Sequence, residues 1–491
     1  MKYIGICFIC LLLFVDLCSC VNSNIEVKVV VDYSDIINDK YIGNGVQWDP
    51  YQLDYGKGKL TIPTYSWRKI YNRLDFMHPQ FIRVMLNTNS FLDKGEFDPT
   101  KGLETLMNIL YYCESRGVIV MLGDWGGSLI SKTENLTFIN KSKIRYAAEV
   151  LDYLLNTLDF TCIKYYNLIN EPNGYWSATD GSYTLWAQAI REFYSQLNLL
   201  GLSDKVSIAG PDIAIWDTDD VWWIDSTYTY LSDIVELYDI HTYPSKRTVN
   251  TNQYSEIISE YKNHVPNKKK IIMGEIGLKF VDPLDSLYQK ENIERASEKK
   301  YASLEDSQMF VYDYIYGIDM ADALIQTVNS GYSGAIAWML DDAMHSAESL
   351  DKLKVWGFWN ILGEEFDGDD SIRPWYYSWS LLTKYLPTGS KIYRVNIVGS
   401  KSIKAIASES NGKYTLGLLN ISKEENTVLL KGLNMETLKD CKKIVYSKEN
   451  IKHIENEKLY PDLVDLEINL VRGESVILDA ESLVVFTNLK Y

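Results

Sequence analysis

The chain has 491 residues, 46% hydrophobic and 23% charged, a balance that excludes a disordered protein and leaves room for a large core plus a second domain. A formal net charge of −17 excludes the positive surface on which nucleic-acid binding depends, and a neutral or cationic substrate suits it better. Four of seven cysteines (Cys7, Cys10, Cys18, Cys20) crowd the first residues, leaving Cys113, Cys162 and Cys441 too scattered for a disulfide framework or a metal-ligand pair; the five histidines form no His-x-x-x-His pair, so no metal or other cofactor is expected.

Lys2 leads an apolar run from Tyr3 to Val15, too short to span a bilayer, followed by Leu17-Cys18-Ser19-Cys20. Residues 1–20 therefore read as an export signal. The tetrad resembles a bacterial lipoprotein processing box, which implies that Cys20 becomes the lipid-carrying first residue of the mature chain. The expected location is the bacterial cell surface or periplasm, or the medium if the leader is cut without lipidation. Membrane contact would come only through that anchor.

Ile25 to Val31 has the β-branched content of a strand. From Tyr41 a beat begins, in which short apolar runs suited to buried parallel strands alternate with longer stretches of helical spacing. The runs are Ile42–Val46, Phe81–Leu86, Val118–Gly123, Tyr165–Asn170, Val206–Gly210, Leu237–Ile240, Lys270–Gly274 and Gly334–Met339. Helix-like segments include Gly102 to Ser115, Ser142 to Leu158, Tyr183 to Leu200 and Val311 to Asn329. Eight such units predict an α/β fold, a (β/α)₈ TIM barrel over residues 36–387. A doubly wound sheet would carry Gly-x-Gly-x-x-Gly after an early strand, and none is present. From Lys391 to Tyr491 the helical spacing gives way to short runs between turns, which predict a C-terminal antiparallel β-sandwich. No flexible linker separates it from the barrel, so rigid packing is expected, with Ile25–Val31 joining the sandwich.

Side chains at the carboxyl ends of barrel strands converge on one face. Those ends supply Gln47-Trp48-Asp49, Arg83, Asp124-Trp125, Asn170-Glu171, Pro211-Asp212, His241-Thr242-Tyr243, Glu275, and Trp338 with Asp341. The set is too polar and too aromatic for a core. Two carboxylic acids, on the fourth and seventh strands and flanked by aromatic platforms, are the parts of glycoside hydrolysis: one protonates the leaving oxygen, the other attacks the sugar or activates water. The acidic stretch Glu364 to Asp370 lacks the ligand spacing of a calcium loop and reads as a solvated turn.

On Asn170-Glu171-Pro172, Ile272-Met273-Gly274-Glu275-Ile276-Gly277 and His241-Thr242-Tyr243, the chain resembles clan A glycoside hydrolases, with families five and thirty-nine as the nearest patterns. The resemblance covers Tyr41 to about Pro387 and implies a retaining enzyme that cleaves β-glycosidic bonds in an oligo- or polysaccharide. It implies Glu171 as acid/base and Glu275 as nucleophile, with Asn170 on the sugar 2-hydroxyl. Arg83 would pair with Glu275, Tyr243 would hydrogen-bond it, His241 would complete the His-x-Tyr pair, and Trp338 would floor the sugar subsite. Trp48, Asp124, Trp125 and Asp341 are further candidates for substrate contact. Family five usually carries a histidine after strand three, where this chain has Gly123-Asp124-Trp125-Gly126. The geometry of facing strands predicts a carboxyl separation of about 5 Å and a Glu171 pKa raised by the nearby Glu275 charge. The competing readings are a catalytically silent carbohydrate-binding lipoprotein and a transglycosylase.

Overall fold

The computed structural model describes residues 27–51, 62–280, 282–346, 349, 351–362 and 370–490. The leader with Cys20 and nearly all of the acidic stretch from Glu364 to Asp370 lie outside them. Eight parallel strands close into a barrel: Gly45–Gln47, Phe81–Leu86, Ile119–Asp124, Ile163–Asn167, Ser207–Ile215, Val235–Thr242, Lys270–Ile276 and Ala335–Ala337. Closure runs through Ile336 beside Gly45 and Ala337 beside Val46. Helices cover the outside, so the strands are buried on both faces and read as nearly continuous apolar runs.

The second strand shows how the strand period sorts its side chains. Phe81 packs inside the barrel with Ile42, Met121, Ala209, Leu237, Ile272 and Ile336, whereas Ile82, Val84 and Leu86 join the core beneath the helices. Arg83, on the inward phase, is fully buried yet charged, which marks the barrel's interior as polar above this apolar plug.

Nine strands form the second sheet, mostly antiparallel, around a core of Val29, Leu416, Leu418, Val428, Leu430, Val484 and Phe486. Its N-terminal member is Val27–Asn38, antiparallel to Lys391–Val398 and parallel to Asn426–Leu433. Ile36 and Asn38, expected at the start of the barrel, therefore pair in this sheet. The helix Tyr314–Asn329 lies where the two parts meet, and every residue from Tyr316 to Val328 is buried, as a helix covered on all sides must be. Polar contacts cross the junction: the Tyr446 hydroxyl donates to the Tyr314 carbonyl at 2.8 Å, and Asn329 donates to the Ala405 carbonyl at 2.9 Å.

Candidate functional site

Two departures from regular strand geometry aim acids at the barrel axis. In the seventh strand, alternation from Ile272 would turn Glu275 outward, but the register shifts beside Gly274, and Glu275 pairs with His241 of the sixth strand. Gly274 is required there, because a Cβ would lie 2.1 Å from an Asp239 carboxylate oxygen. In the fifth strand Asp212 is the residue skipped between Pro211 and Ile213, and it adopts a left-handed φ of 60°, which Asp tolerates better than most residues. Glu171 lies beyond the fourth strand and also has a left-handed φ, 45°, unusual for a glutamate and typical of strained functional positions.

Arg83 is the hub of the resulting network. It donates to Glu275, to Gln47 at 2.6 Å and to Asn170 at 2.7 Å, and its guanidinium is 3.3 Å from Asp212. The Tyr243 hydroxyl donates to the other Glu275 oxygen at 2.6 Å. His241 spans two carboxylates, with Nδ1 3.1 Å from Glu171 Oε1 and Nε2 2.8 Å from Asp212 Oδ1. The Trp176 indole donates to Glu171 Oε2 at 2.7 Å. One carboxylate oxygen each of Glu171 and Glu275 and a ring nitrogen of His241 lie within 4.8 Å of one another.

Above this network is a cleft of about 560 Å³, lined by Asn170, Glu171, Trp176, Tyr243, Glu275, Trp338 and Trp125 among others. Trp338 packs with Tyr243 and Trp356, and Trp125 meets it edge-on at 6.3 Å, a floor and wall suited to a sugar ring. Lys279 and Lys354 face each other across Asp306, 3.8 and 2.8 Å from its carboxylate, so this side of the cleft does not share the acid excess of the whole chain.

Burial disfavours the His241 cation, but the charges of Asp212 and Glu275 outweigh it and push its pKa well above the usual imidazole value. Burial likewise pushes Glu171 up, yet the hydrogen bond and charge of His241 and the Trp176 indole reverse it, and the net direction is down. This corrects the expectation of a raised Glu171: the proton of the resting site belongs to the Glu171–His241 pair. Asp239, two residues before His241 on the same face, is fully buried, and desolvation and the Asp212 charge push it well above the ordinary carboxylate range. Glu171, His241 and Glu275, or Asp212, Asp239 and His241, have spacings a metal ion could use. Arg83, however, already contacts Glu275 and Asp212 with a full positive charge that a second cation would have to oppose.

Of the residues singled out in the sequence, Arg83, Asn170, Glu171, His241, Tyr243, Glu275, Trp125 and Trp338 gather at or directly beneath the cleft. Three others do not reach it. Trp48 is 1% exposed and follows the inward Gln47, so the strand period turns it outward, where it packs on Trp67 and Tyr112 and donates to Tyr51 at 3.0 Å. Asp341 belongs to the same group, accepting from the Tyr51 hydroxyl at 2.5 Å. Asp124 is consumed as a loop clamp, accepting from the Thr88 amide and hydroxyl and from the Gly126 amide at 2.6–2.7 Å. Sequence reasoning placed Gln47 and Asp212 at strand ends without giving them a role, and it missed Asp239 and Trp176 as site members. Gln47 and Asp239 follow from strand phase, whereas the extra residue in the fifth strand takes Asp212 off that phase and Trp176 sits in a loop with no periodic signal.

No protein-family model and no curated protein sequence matches the chain. Solved structures do match its fold. A family 30 endoxylanase from Clostridium papyrosolvens is 12% identical with a TM-score of 0.59, over 94% of this chain and 99% of that one. A family 39 β-xylosidase from Caulobacter crescentus is 11% identical with a TM-score of 0.55, over the same shares. An α-L-arabinofuranosidase from Thermotoga maritima is 13% identical with a TM-score of 0.59, again over 94% and 99%. The barrel with its appended sheet is the architecture of these glycoside hydrolases.

Proposed function

We propose that the chain is a retaining glycoside hydrolase acting on β-linked oligo- or polysaccharides. The observation that carries this reading is the approach of Glu171 and Glu275, with a carboxylate oxygen of each within 4.8 Å, which suits direct attack on the sugar; an inverting site needs roughly 6.5–9.5 Å to admit a water. Glu275, fixed through both oxygens by Arg83 and Tyr243, attacks the anomeric carbon and forms a glycosyl ester as the bond to the leaving oxygen breaks. Glu171 delivers the proton held by its pair with His241 to that oxygen. In the second step Glu171 takes a proton from water, which displaces Glu275 and releases the sugar with its configuration retained. Asn170, held by Arg83, presents its amide toward the sugar 2-hydroxyl.

The structural neighbours include xylanases, xylosidases and arabinofuranosidases, so xylan and aryl pentosides head the substrate panel. The reading also includes export through the 1–20 leader with lipid attachment at Cys20, which intact-mass analysis of the native protein tests. Stereochemistry tests the chemistry: NMR of a freshly cleaved β-glycoside should show the β-anomer first. Initial appearance of the α-anomer would remove Glu275 from the nucleophile's role.

A further inference from the structure

A second cavity, of about 660 Å³, opens where the barrel meets the appended sheet, and none of its lining residues lines the cleft. Arg73 and Phe76, toward the end of helix Thr64–Met77, form one side, and Lys384 and Tyr385, at the end of helix Trp375–Lys384, form another. Lys442 reaches it from strand Thr437–Tyr446, and Lys458 and Tyr460 from the following connection.

Three lysines on three separate elements thus converge on one concavity in a chain whose net charge is −17. The Lys384 ammonium lies 5.1 Å from the Phe76 ring and 5.7 Å from the Tyr385 ring, and Lys442 lies 5.6 Å from the latter. The nearby acids are already committed: Glu457 accepts from Arg73 at 2.6 Å, and Asp75 from Arg116 at 3.1 Å. Among the described residues, neither Lys442 nor Lys458 has a carboxylate within ion-pair distance. A helix C-terminus favours one cation, which explains a lysine at position 384 but not two more beside it. Burial first, then the charges of Lys442 and Lys458, bring the Lys384 amine down to about 8. Like charges gathered around a space of this size destabilise the unliganded protein, and an anion reverses that cost.

We propose that this junction cavity binds the oxyanion groups of a ligand, sulfate, phosphate or carboxylate, with Lys384, Lys442 and Lys458 as its cationic walls. Two sources share that chemistry: a free inorganic anion, and an acidic saccharide with a ring resting on the half-exposed Tyr460.

The test is limited acylation of the intact protein at pH 8 with an amine-selective ester, read by peptide mass spectrometry. Without ligand, Lys384 should react ahead of the exposed Lys439. A bound anion should slow Lys384 about fivefold, because an amine with a pKa near 8 is about half neutral at that pH and one raised by about a unit is about one-tenth neutral. Sodium sulfate, tetragalacturonate and neutral xylotetraose are compared at ionic strength matched with sodium chloride. Protection by sulfate assigns a free oxyanion, and protection by tetragalacturonate alone assigns an acidic saccharide. Protection by neither, or equal protection by xylotetraose, overturns the proposal. In a Lys442→Gln/Lys458→Gln variant, Lys384 should react more slowly without ligand and gain nothing further from anions; anion protection as in the wild type would also overturn it.

Discussion

Two groups of acids share the carboxyl end of the barrel, and they differ in what holds them. Glu171, Glu275 and Asp212 face the axis and are held by cations, Arg83 and His241. Asp341 lies behind them among aromatic side chains, held by the phenol of Tyr51 and the Ala343 amide, with no cation in contact among the described residues. Where Glu171 and Asp212 are held below the ordinary carboxylate range, burial, reinforced by Asp342 and Asp49, pushes Asp341 up to about 7. The phase of a strand therefore decides more than position. Gln47 on the inward phase reaches the Arg83–Glu275 network, while its neighbour Trp48 on the outward phase joins the aromatic group.

Activity should divide the two groups most sharply. Glu275→Gln should lower turnover of any cleaved glycoside by roughly four orders of magnitude or more, as loss of a covalent nucleophile does, whereas Asp341→Asn should leave it within about threefold. Comparable losses in both variants would erase the distinction.

The pH profile gives the next effect. Because the folded protein pulls His241 up and Glu171 down, the proton needed for leaving-group departure is lost only when the pair as a whole titrates, above the ordinary imidazole range. In His241→Gln, Glu171 titrates alone, so the alkaline limb of kcat/KM should move acidward. An unmoved limb would show that Glu171 does not rely on His241 for its proton.

Stability against pH gives the smallest effect. The folded value of Asp341 lies above its unfolded value, so folding takes up a proton between roughly pH 4 and 7, and the stabilisation it provides is complete in acid and lost as pH rises through about 7. Chemical denaturation across that window should show a decline on the order of a few kcal/mol that Asp341→Asn flattens. An unchanged slope would place Asp341 outside its aromatic enclosure.

Most of the barrel was legible because its period is carried by apolar runs that nothing else explains: Phe81 to Leu86 matches the observed strand residue for residue. Lys391 to Val398 matches equally well in the appended sheet. The site was legible where a polar residue interrupts such a run, as Arg83 and Glu275 do. It was not legible where function depends on an irregularity. The shift beside Gly274 and the extra residue at Asp212 are invisible to a strict period of two. Conversely, Trp48 has the composition of a sugar site, and only its phase reveals that it packs elsewhere; Asp341 lies beyond the last barrel strand, where no period applies. The lowered pKa of Glu171 is not legible in the sequence, because the group that reverses the effect of burial, His241, is brought to 3.1 Å only by the fold.

As nucleophile, the inward Glu275 must form a covalent bond to the sugar. Incubation with a panel of 2-deoxy-2-fluoro-β-glycosyl fluorides, followed by intact-mass and peptide mapping, tests it directly. The account predicts stoichiometric addition of one glycosyl unit, on the peptide carrying Glu275, with turnover lost in step. Labelling of Glu171 instead, or steady turnover of the same fluorides with no adduct on any residue, would contradict it.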